Sequence, residues 1–438
     1  MKTIKVGLVG FGTIGTGVAK LLLLEKERIA LRTGCDVQLV KIADLDTTRD
    51  RGIQLPEGML TADYHEILND PEISLVVQLV GGTGIERTIM LEMINAGKNI
   101  VTANKALLAT FGEEIFEAAR KNGVSVAFEA AVGGGIPIIA AISESLAANE
   151  IESIHAILNG TCNFILSNME ENGSDYAETL KEAQRLGFAE ANPAMDVEGS
   201  DTAQKLAILS HIAFGTRLDW KDIPKDGIET VSGIDFRFAS MLGYSIKLLA
   251  IANRTKGANG VADKLELSVC PTLVKKGLPI AAVSGAYNAV SVVGDAVEHS
   301  FYYGKGAGEL PTASAVVADV MDTVVGRTKI TFDTLNLWNP ERKTGENIEI
   351  AQAADVTGHY YLRVMVEDRV GVVAELTQIL ASAGISISSC VQVAAEDNMV
   401  PLIIMTHETT EGAVLNAIQA MNGLECVKSE TVRMRIYG

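Results

Sequence analysis

The chain has 438 residues, which is more than one ordinary hydrophobic core holds and predicts about two to four domains. With 47% hydrophobic and 21% charged residues, the composition is typical of a globular protein and excludes a disordered or fibrous one. The formal net charge of -18 would repel nucleic acid and anionic membrane surfaces. We therefore expect a small-molecule ligand, no nucleic-acid partner and no membrane partner.

The cysteines, the histidines and the N-terminus favour a cytoplasmic protein. The five cysteines are scattered without a CxxC pair, which predicts neither a disulfide framework nor a zinc site. The six histidines lack metal-ligand spacing, so we expect no catalytic transition metal. Glycines interrupt the apolar start of the chain, and the longest uncharged segment, 153–169, is rich in polar residues. These features predict no signal peptide and no membrane span.

Apolar, β-rich segments alternate with helical ones over the first 130 residues. Strands that are apolar on both faces and separated by helices indicate a parallel sheet covered on both sides. Residues 1–130 are therefore predicted to form an α/β, Rossmann-type doubly wound nucleotide-binding domain, to which residues 304–330 are a candidate to return. The predicted elements are strands at 3–9, 37–43, 75–79, 99–102 and 125–128, and a long first helix at 13–30.

The sequence pattern changes near Glu129, where three glycines and Pro137 precede an apolar helix. Residues 131–303 are predicted to form an α+β catalytic and dimerisation domain. Residues 340–357 have few bulky apolar side chains and suit an exposed linker. The remainder, 358–438, follows the βαββαβ order of a ferredoxin-like module. In the second domain we predict strands at 155–158 and 265–269 and helices at 202–214 and about 238–252.

A GxGxxG motif connects the first predicted strand to the first predicted helix. Gly10 permits the tight turn, Gly12 lets the backbone approach a pyrophosphate, and Gly15 allows the helix to pack closely on the strand. This placement predicts a dinucleotide site rather than a structural turn alone. The predicted contacts in the loop are Gly10, Phe11, Gly12, Thr13, Ile14 and Gly15.

Asp44 ends the second predicted strand, where a carboxylate accepts hydrogen bonds from the adenosine ribose. A negative charge there favours NAD, because it would repel the 2′-phosphate of NADP. Asp44 follows Gly15 by more than the usual spacing of about 20 residues, and Arg49 and Arg51 are within reach of a phosphate. NADP therefore stays an alternative, as does an exposed turn in which Asp44 has no ligand.

Four further segments, taken in order with the glycine motif, resemble the homoserine dehydrogenase family. The resemblance extends from the N-terminus through the glycine-rich segment 304–308 to Asp319. It implies reversible, NAD(P)-dependent interconversion of L-homoserine and L-aspartate 4-semialdehyde. The segments are TANKAL at 102–107, LNGTCN at 158–163, GFAEANP at 187–193, and 196–205.

The resemblance implies that Lys205 is the catalytic acid/base and Lys105 a second catalytic or nicotinamide-side lysine. It also implies that Glu190 and Asp201 bind the substrate ammonium and hydroxyl. These residue types suit the chemistry, since a developing alkoxide needs a proton donor and an ammonium needs carboxylates. Asp201 and Lys205 would share a helix face, although such a pair standing alone would be an ordinary surface ion pair. Further expected contacts are Asp196, Gly160 and Thr161 for substrate, and Gly81, Lys105, Gly187 and Gly306 for cofactor.

Two features of these motifs allow a purely structural interpretation. Residues 159–161 follow a strand, so they either expose backbone donors to the substrate carboxylate or form a turn. The resemblance implies a sodium or potassium site at Glu129 with the backbone carbonyls of Val132, Gly134 and Ile136. The residues alone indicate only a glycine-rich loop before a helix.

The C-terminal module is similar to the ACT family of amino-acid-sensing domains, on the segment 366–375 and on 383–387. Gly371, at a strand-to-helix turn, would expose backbone amides near Asp368, and Ile385 and Gln392 would complete the site. The resemblance implies threonine as the effector, with a module that only dimerises as the alternative. We expect a homodimer or a homotetramer.

Two other functions fit parts of the sequence. One is a related amino-acid dehydrogenase with a different carbonyl substrate. The other is a non-catalytic sensor of nicotinamide and amino acid, which would lack Lys105, Lys205 or Glu190. All three residues are present, which favours an enzyme.

Overall fold

The structure, a computed structural model, describes residues 1–257, 261–335, 348–393 and 399–438. The chain packs into two units, and each unit collects three segments. Unit 1 comprises Met1–Glu152, Gln204–Asp222 and the described part of Asn288–Asn347. Unit 2 comprises Ser153–Ala203, Ile223–Tyr287 and the described part of Ile348–Gly438.

Unit 1 begins with alternating strands and helices. Glu25 leaves the helical region, with φ of -110° and ψ of 25°, so the single helix predicted over 13–30 is wrong and two helices replace it. The elements are β1 (Lys2–Val9), α1 (Thr13–Leu24), α2 (Lys26–Thr33), β2 (Cys35–Ala43), β3 (Leu60–Thr61), α3 (His65–Leu68), β4 (Ile73–Gln78), α4 (Ile85–Asn95), β5 (Asn99–Thr102), α5 (Lys105–Lys121), β6 (Val126–Ala127) and α6 (Ile138–Ala140).

Strands β1 to β6 form a parallel sheet in the order β3-β2-β1-β4-β5-β6. This is the predicted doubly wound arrangement, which is confirmed. Val6 and Leu8 of β1 and Val77 of β4 are fully buried, as strands covered on both faces require. The strand order reverses between β1 and β4, and at this point the carboxyl ends of parallel strands leave a crevice for ligands.

The next part of the chain carries a helix-rich segment followed by two long strands. A helix was expected over about 238–252, and this expectation is wrong. The helix ends at Met241, Gly243 has φ of +87°, and a strand paired antiparallel with its successor follows. A fully buried strand lacks the alternation that distinguishes it from a buried helix. The elements are β7 (Ile151–Ile157), α7 (Gly160–Asn172), α8 (Tyr176–Arg185), α9 (Ala194–Val197), α10 (Ser200–Phe214), α11 (Gly233–Met241), β8 (Tyr244–Thr255) and β9 (Asp263–Lys275).

Residues after 287 add two strands and two helices, which are β10 (Tyr287–Gly294), β11 (Glu298–Lys305), α12 (Glu309–Val325) and α13 (Arg327–Leu335). Within unit 1, α12 packs directly on α1. A Cβ on Gly17 would lie 2.8 Å from the Glu309 carbonyl oxygen, so only glycine permits this approach. Lys20 Nζ also pairs with Glu309 at 2.7 Å. A late segment of the chain thus completes the covering of the parallel sheet.

The C-terminal module has the predicted βαββαβ order, which is confirmed. Its helices bury a core that includes Leu362, Leu376, Val414 and Met421. A further short strand, Thr409–Thr410, pairs with its first strand. The elements are β12 (Ile348–Ile350), β13 (Thr357–Glu367), α14 (Val372–Ser382), β14 (Ile387–Gln392), β15 (Met399–Thr406), β16 (Thr409–Thr410), α15 (Glu411–Asn422) and β17 (Val432–Tyr437).

Within unit 2, the strands of the C-terminal module continue the sheet of the preceding segment in the order β7-β8-β9-β17-β13-β15-β14. Strand β17 pairs in parallel with β9, from Arg435 opposite Thr272 to Tyr437 opposite Val274. Strand β12, which lies in the segment expected to be an exposed linker, also pairs with β9. The module is therefore held by a shared sheet.

A buried polar cluster also fixes the module to α11. Asp235 is fully buried, and its Oδ1 accepts hydrogen bonds from Tyr361 Oη at 2.9 Å and from Arg363 Nε at 2.8 Å. Its Oδ2 accepts from the backbone of Ser232 at 2.9 Å. In a separate contact of unit 2, the rings of His155 and Tyr437 stack with centroids 4.0 Å apart. The Asp235 carboxylate thus compensates a guanidinium that packing has removed from water.

Three sequence expectations concern the cysteines, membrane spans and metal ligands. The five cysteines are all free thiols. Across the parts of the chain that the structure describes, no helix is both long enough and apolar enough to span a membrane. Among the same described residues, no group of three or more His, Cys, Asp or Glu side chains is arranged so that it could hold a metal ion.

Candidate active site

The glycine motif forms the turn from β1 into α1. Gly10 has φ of +98°, and a Cβ there would lie 2.9 Å from the backbone of Leu79. A Cβ on Gly15 would lie 2.1 Å from the Gly10 carbonyl oxygen. A Cβ on Gly12 would meet nothing within 4 Å, and Gly12 is exposed at the N-terminus of α1. Gly10 and Gly15 are therefore required by the protein's own packing, whereas Gly12 leaves open space where helix amides attract an anion.

Asp44 lies against this loop. Its Oδ2 accepts a hydrogen bond from Phe11 N at 2.6 Å, and its Oδ1 accepts one from Asp46 N at 2.9 Å. Arg51 donates to the carbonyl oxygens of Phe11 at 2.5 Å and Asp46 at 2.7 Å, and its guanidinium stacks on the Phe11 ring. The carboxylate and the arginine thus both contact the turn that would hold the cofactor.

Lys105 and Gly81 lie at the carboxyl ends of β5 and β4. Lys105 is the first residue of α5 and is half-buried, while Gly81 is exposed. Between them, Asn104 donates from Nδ2 to the carbonyl oxygens of Val80 at 3.1 Å and Gly82 at 2.8 Å, and its Oδ1 caps α5. Sequence reasoning missed Asn104, although an asparagine directly before a helix is a capping signal.

The Glu129 loop precedes α6. The Glu129 carboxylate is buried and accepts hydrogen bonds from Ile139 N and Ala140 N, each at 2.8 Å. Burial raises the pKa of Glu129 to about 7, although the hydrogen bonds from these two amides act in the opposite direction and lower it. The backbone N–H of Glu129 donates a hydrogen bond to the Asp319 carboxylate. Burial raises the pKa of Asp319 well above its ordinary value. The Glu129 carboxylate therefore accepts hydrogen bonds from two amides of the short helix α6.

Gly134 and Gly306 lie in direct contact within unit 1. A Cβ on Gly134 would lie 2.3 Å from the Gly306 carbonyl oxygen, and Gly135 N donates to Lys305 O at 3.0 Å. A Cβ on Gly306 would lie 2.0 Å from Asn288 Nδ2. The contact explains why both glycine-rich segments are needed and brings two predicted site loops together.

Three predicted substrate residues gather around one asparagine in unit 2. Asn159, at the N-cap of α7, donates from Nδ2 to Asp196 Oδ1 at 2.7 Å and to Asp201 Oδ2 at 2.9 Å. Asp201 is buried and Asp196 half-buried, on α10 and α9 respectively. Gly160 follows in the first turn of α7. The sequence predicted both carboxylates but not their link through Asn159, which joins residues distant in the chain.

The segment 187–190 carries the predicted substrate residue Glu190 and the predicted cofactor contact Gly187, and it is bound by Thr161. Thr161 Oγ1 donates to the Phe188 carbonyl oxygen at 2.5 Å, so this hydroxyl holds the start of α7 to that segment. Gly187 is exposed with φ of +78°. Glu190 is exposed, and Gln184 Nε2 donates to its backbone carbonyl at 3.1 Å.

Lys205 lies one helical turn after Asp201 on α10, as the spacing predicted. It is half-buried, and Leu206, Ile208 and Leu209 after it are fully buried. The helix is thus anchored by its apolar residues, which restricts the positions of the carboxylate and the amine. A carboxylate and an amine one turn apart on a helix are groups suited to bind a cationic substrate and to move a proton.

Two of the predicted effector residues, Asp368 and Gly371, lie in the turn from β13 into α14. Gly371 is the N-cap of α14 with φ of +95°, and Asp368 is exposed. Ile385 is buried, while Gln392 is exposed on β14, the last strand in the sheet order of unit 2. Gly371 thus starts α14 in the left-handed conformation that favours glycine.

The parallel sheet, its glycine turn and the carboxylate-lysine cluster define a nicotinamide-dependent oxidoreductase. Two family models agree with this class: the homoserine dehydrogenase NAD-binding domain at residues 10–129 and homoserine dehydrogenase at 137–321. A third model, the ACT domain, matches residues 360–425. The chain belongs to the homoserine dehydrogenase family.

Relatives match over the full length. The chain is similar to the homoserine dehydrogenase of Pseudomonas aeruginosa, with 43% identity covering 100% of this chain and 99% of the relative. It is 42% identical to that of Synechocystis sp., covering 97% and 98%. Among solved structures it resembles a homoserine dehydrogenase from Thiobacillus denitrificans, with a TM-score of 0.91 and 44% identity over 100% of this chain and 98% of that one.

Proposed function

We propose that the protein interconverts L-homoserine and L-aspartate 4-semialdehyde with a nicotinamide cofactor. The observation that carries the proposal is the Asp196–Asn159–Asp201 cluster with Lys205 one turn further along α10. An amino-acid aldehyde needs negative groups for its ammonium and a proton source for its carbonyl oxygen, and these residues supply both.

The roles of the residues follow from their chemistry. Asp201, with Glu190 and Asp196, binds the substrate ammonium and hydroxyl, while the first-turn amides of Gly160 and Thr161 face the substrate carboxylate. Lys205 donates a proton to the alkoxide oxygen during reduction, and in its neutral form accepts the hydroxyl proton during oxidation. Bound nicotinamide supplies or accepts the hydride at the substrate C4. Lys105 acts on the nicotinamide side.

We propose that the dinucleotide lies over the glycine turn and that NAD is preferred. Gly12 leaves space for the pyrophosphate, with Phe11, Thr13 and Ile14 around it and with Gly81 and Gly306 of the same unit as further contacts. Asp44 would accept hydrogen bonds from the ribose hydroxyls. Arg51 is already bound to two backbone carbonyls, which disfavours its capture of a 2′-phosphate.

The test is steady-state homoserine oxidation with NAD and with NADP. Replacing Lys205 by alanine should lower kcat by about 10²- to 10⁴-fold, the usual contribution of a general acid or base, with NAD binding unchanged in a fluorescence titration. The matched control Lys221→Ala, at an exposed lysine, should keep full activity. Retained turnover in Lys205→Ala contradicts the assignment, and faster turnover of another amino-acid aldehyde contradicts the substrate.

The ACT domain indicates regulation by an amino acid. We propose threonine, bound near Gly371 and Asp368 together with Ile385 and Gln392. Threonine should then inhibit homoserine oxidation, and Asp368→Ala should abolish the inhibition without changing kcat. Unchanged kinetics at saturating threonine would instead support a module that only dimerises.

Two further proposals concern the assembly and a cation. We propose a homodimer or a homotetramer, which light scattering would distinguish from a monomer. We also propose a sodium or potassium ion at the Glu129 loop, held by Glu129 together with the backbone carbonyl oxygens of Val132, Gly134 and Ile136. The melting temperature and activity should then be higher in sodium or potassium chloride than in tetramethylammonium chloride of equal ionic strength. Equal values would contradict the cation site.

A further inference from the structure

The Asn159 side chain has every polar atom engaged. It is buried, with 5% of its surface exposed. Its Oδ1 accepts from Cys162 N at 2.8 Å, and its Nδ2 donates to Asp196 at 2.7 Å and to Asp201 at 2.9 Å. The backbone N–H of Cys162 requires an acceptor, so the side-chain amide of Asn159 must turn its oxygen toward Cys162. Its NH₂ group then has to face the two carboxylates.

The contact matters because two carboxylates share one nitrogen. Like charges gathered at one site repel, and such a pair lowers its energy either by moving apart or by taking up a proton. An N–H donor favours the ionised form of a carboxylate. The two carboxylates come from different helices, α9 and α10. Because both bind hydrogens of one planar amide, that amide also fixes the angle between them.

We propose that Asn159 is a positioning residue that holds Asp196 and Asp201 ionised and correctly spaced for the substrate ammonium and hydroxyl. The inference rests on the proposed function, and it assigns to Asn159 a role that its capping position alone would not require. Asn159 acts through the two carboxylates and takes no part in proton or hydride transfer.

The competing explanation is that Asn159 only caps α7. Aspartate and serine cap helices about as well as asparagine. Asn159→Asp keeps the size and the capping oxygen but removes both donors and adds a third negative charge. Asn159→Ser keeps a cap but is too short to reach both carboxylates. A capping role predicts that both variants behave as wild type, whereas a positioning role predicts that both lose function.

The experiment measures homoserine oxidation, NAD affinity and melting temperature for wild type and both variants. We expect kcat/KM for homoserine to fall about 10- to 100-fold, as for a lost hydrogen bond to a charged group, and mainly through KM. NAD affinity should not change. In Asn159→Asp the acid limb of the pH profile should move to higher pH, because the added negative charge makes the cluster easier to protonate.

The matched control is Asp175→Asn, which exchanges the same groups at the N-cap of α8, away from the cluster. It should leave kcat/KM and the pH profile as in wild type. The inference is overturned if Asn159→Asp and Asn159→Ser have the same kcat/KM and pH profile as wild type. If the aspartate variant does not fold, the serine variant decides alone. Absence of homoserine turnover in the wild type is a separate result, which refutes the proposed function.

Discussion

Asp235 offers the sharpest test of how the C-terminal module is held. In Asp235→Asn the side chain keeps its size, but the second oxygen becomes an NH₂ group and the negative charge is lost. Arg363, whose side chain is 10% exposed, then keeps its positive charge without the carboxylate that contacts it at 2.8 Å. Removing one partner of a buried ion pair costs about 3 to 5 kcal/mol, so the free energy of unfolding of unit 2 should fall by that amount.

Urea denaturation followed by circular dichroism, with hydrogen exchange of β13 and β17, measures the effect. The control is Asp333→Asn, at a pair with Lys329 whose side chains are 53% and 47% exposed, and it should change stability by no more than about 0.5 kcal/mol. Adding Arg363→Met to Asp235→Asn should recover part of the loss, because an apolar side chain needs no counter-charge. A loss of under about 1 kcal/mol in Asp235→Asn would refute the reasoning that the pair is buried and essential.

Two other predictions concern the glycine turn and acid stability. Gly15→Ala should lower both the melting temperature and the NAD affinity, because its Cβ would lie 2.1 Å from the Gly10 carbonyl oxygen. Gly12→Ala should weaken NAD binding about 10-fold or more without destabilising the protein, because its Cβ meets only open space. Equal NAD affinities in Gly12→Ala and wild type would contradict the pyrophosphate site. Burial lowers the pKa of His155 to about 4, so the unfolded chain binds its proton first and wild type loses stability as pH falls from about 6.5 to 4. His155→Phe should lose about 3 kcal/mol less over that interval, and identical pH dependence in urea denaturation would show that His155 is not buried in its neutral form.

Much of the fold was predictable because its signals are local. The glycine turn is a requirement of a few consecutive residues, since Gly10 and Gly15 meet neighbouring backbone wherever this turn forms. The alternation of apolar strands and helices determined the parallel sheet, and the C-terminal order of elements determined the module. The Asp201 and Lys205 spacing on one helix also followed from periodicity.

The wrong predictions have physical causes that a single sequence does not show. Strand β8 was expected to be a helix because it is buried on both faces, and an apolar run without alternation fits either element. The break at Glu25 interrupts a pattern that is otherwise continuous with a single helix. Beyond these two wrong predictions, strand β12 in the described part of the expected linker pairs with a strand about 85 residues earlier, which no local pattern indicates.

The sequence by itself determined the class of protein and the glycine turn, and it supplied the candidate catalytic residues, because each depends on short motifs with fixed spacing. Only the tertiary structure decided how those residues meet. Asn159 joins two carboxylates 37 and 42 positions further along the chain, and Asp235 meets Arg363 after 128 residues. Such contacts depend on the packing of whole elements, since hydrogen bonds between distant residues form only after the helices and strands that carry them have been brought together.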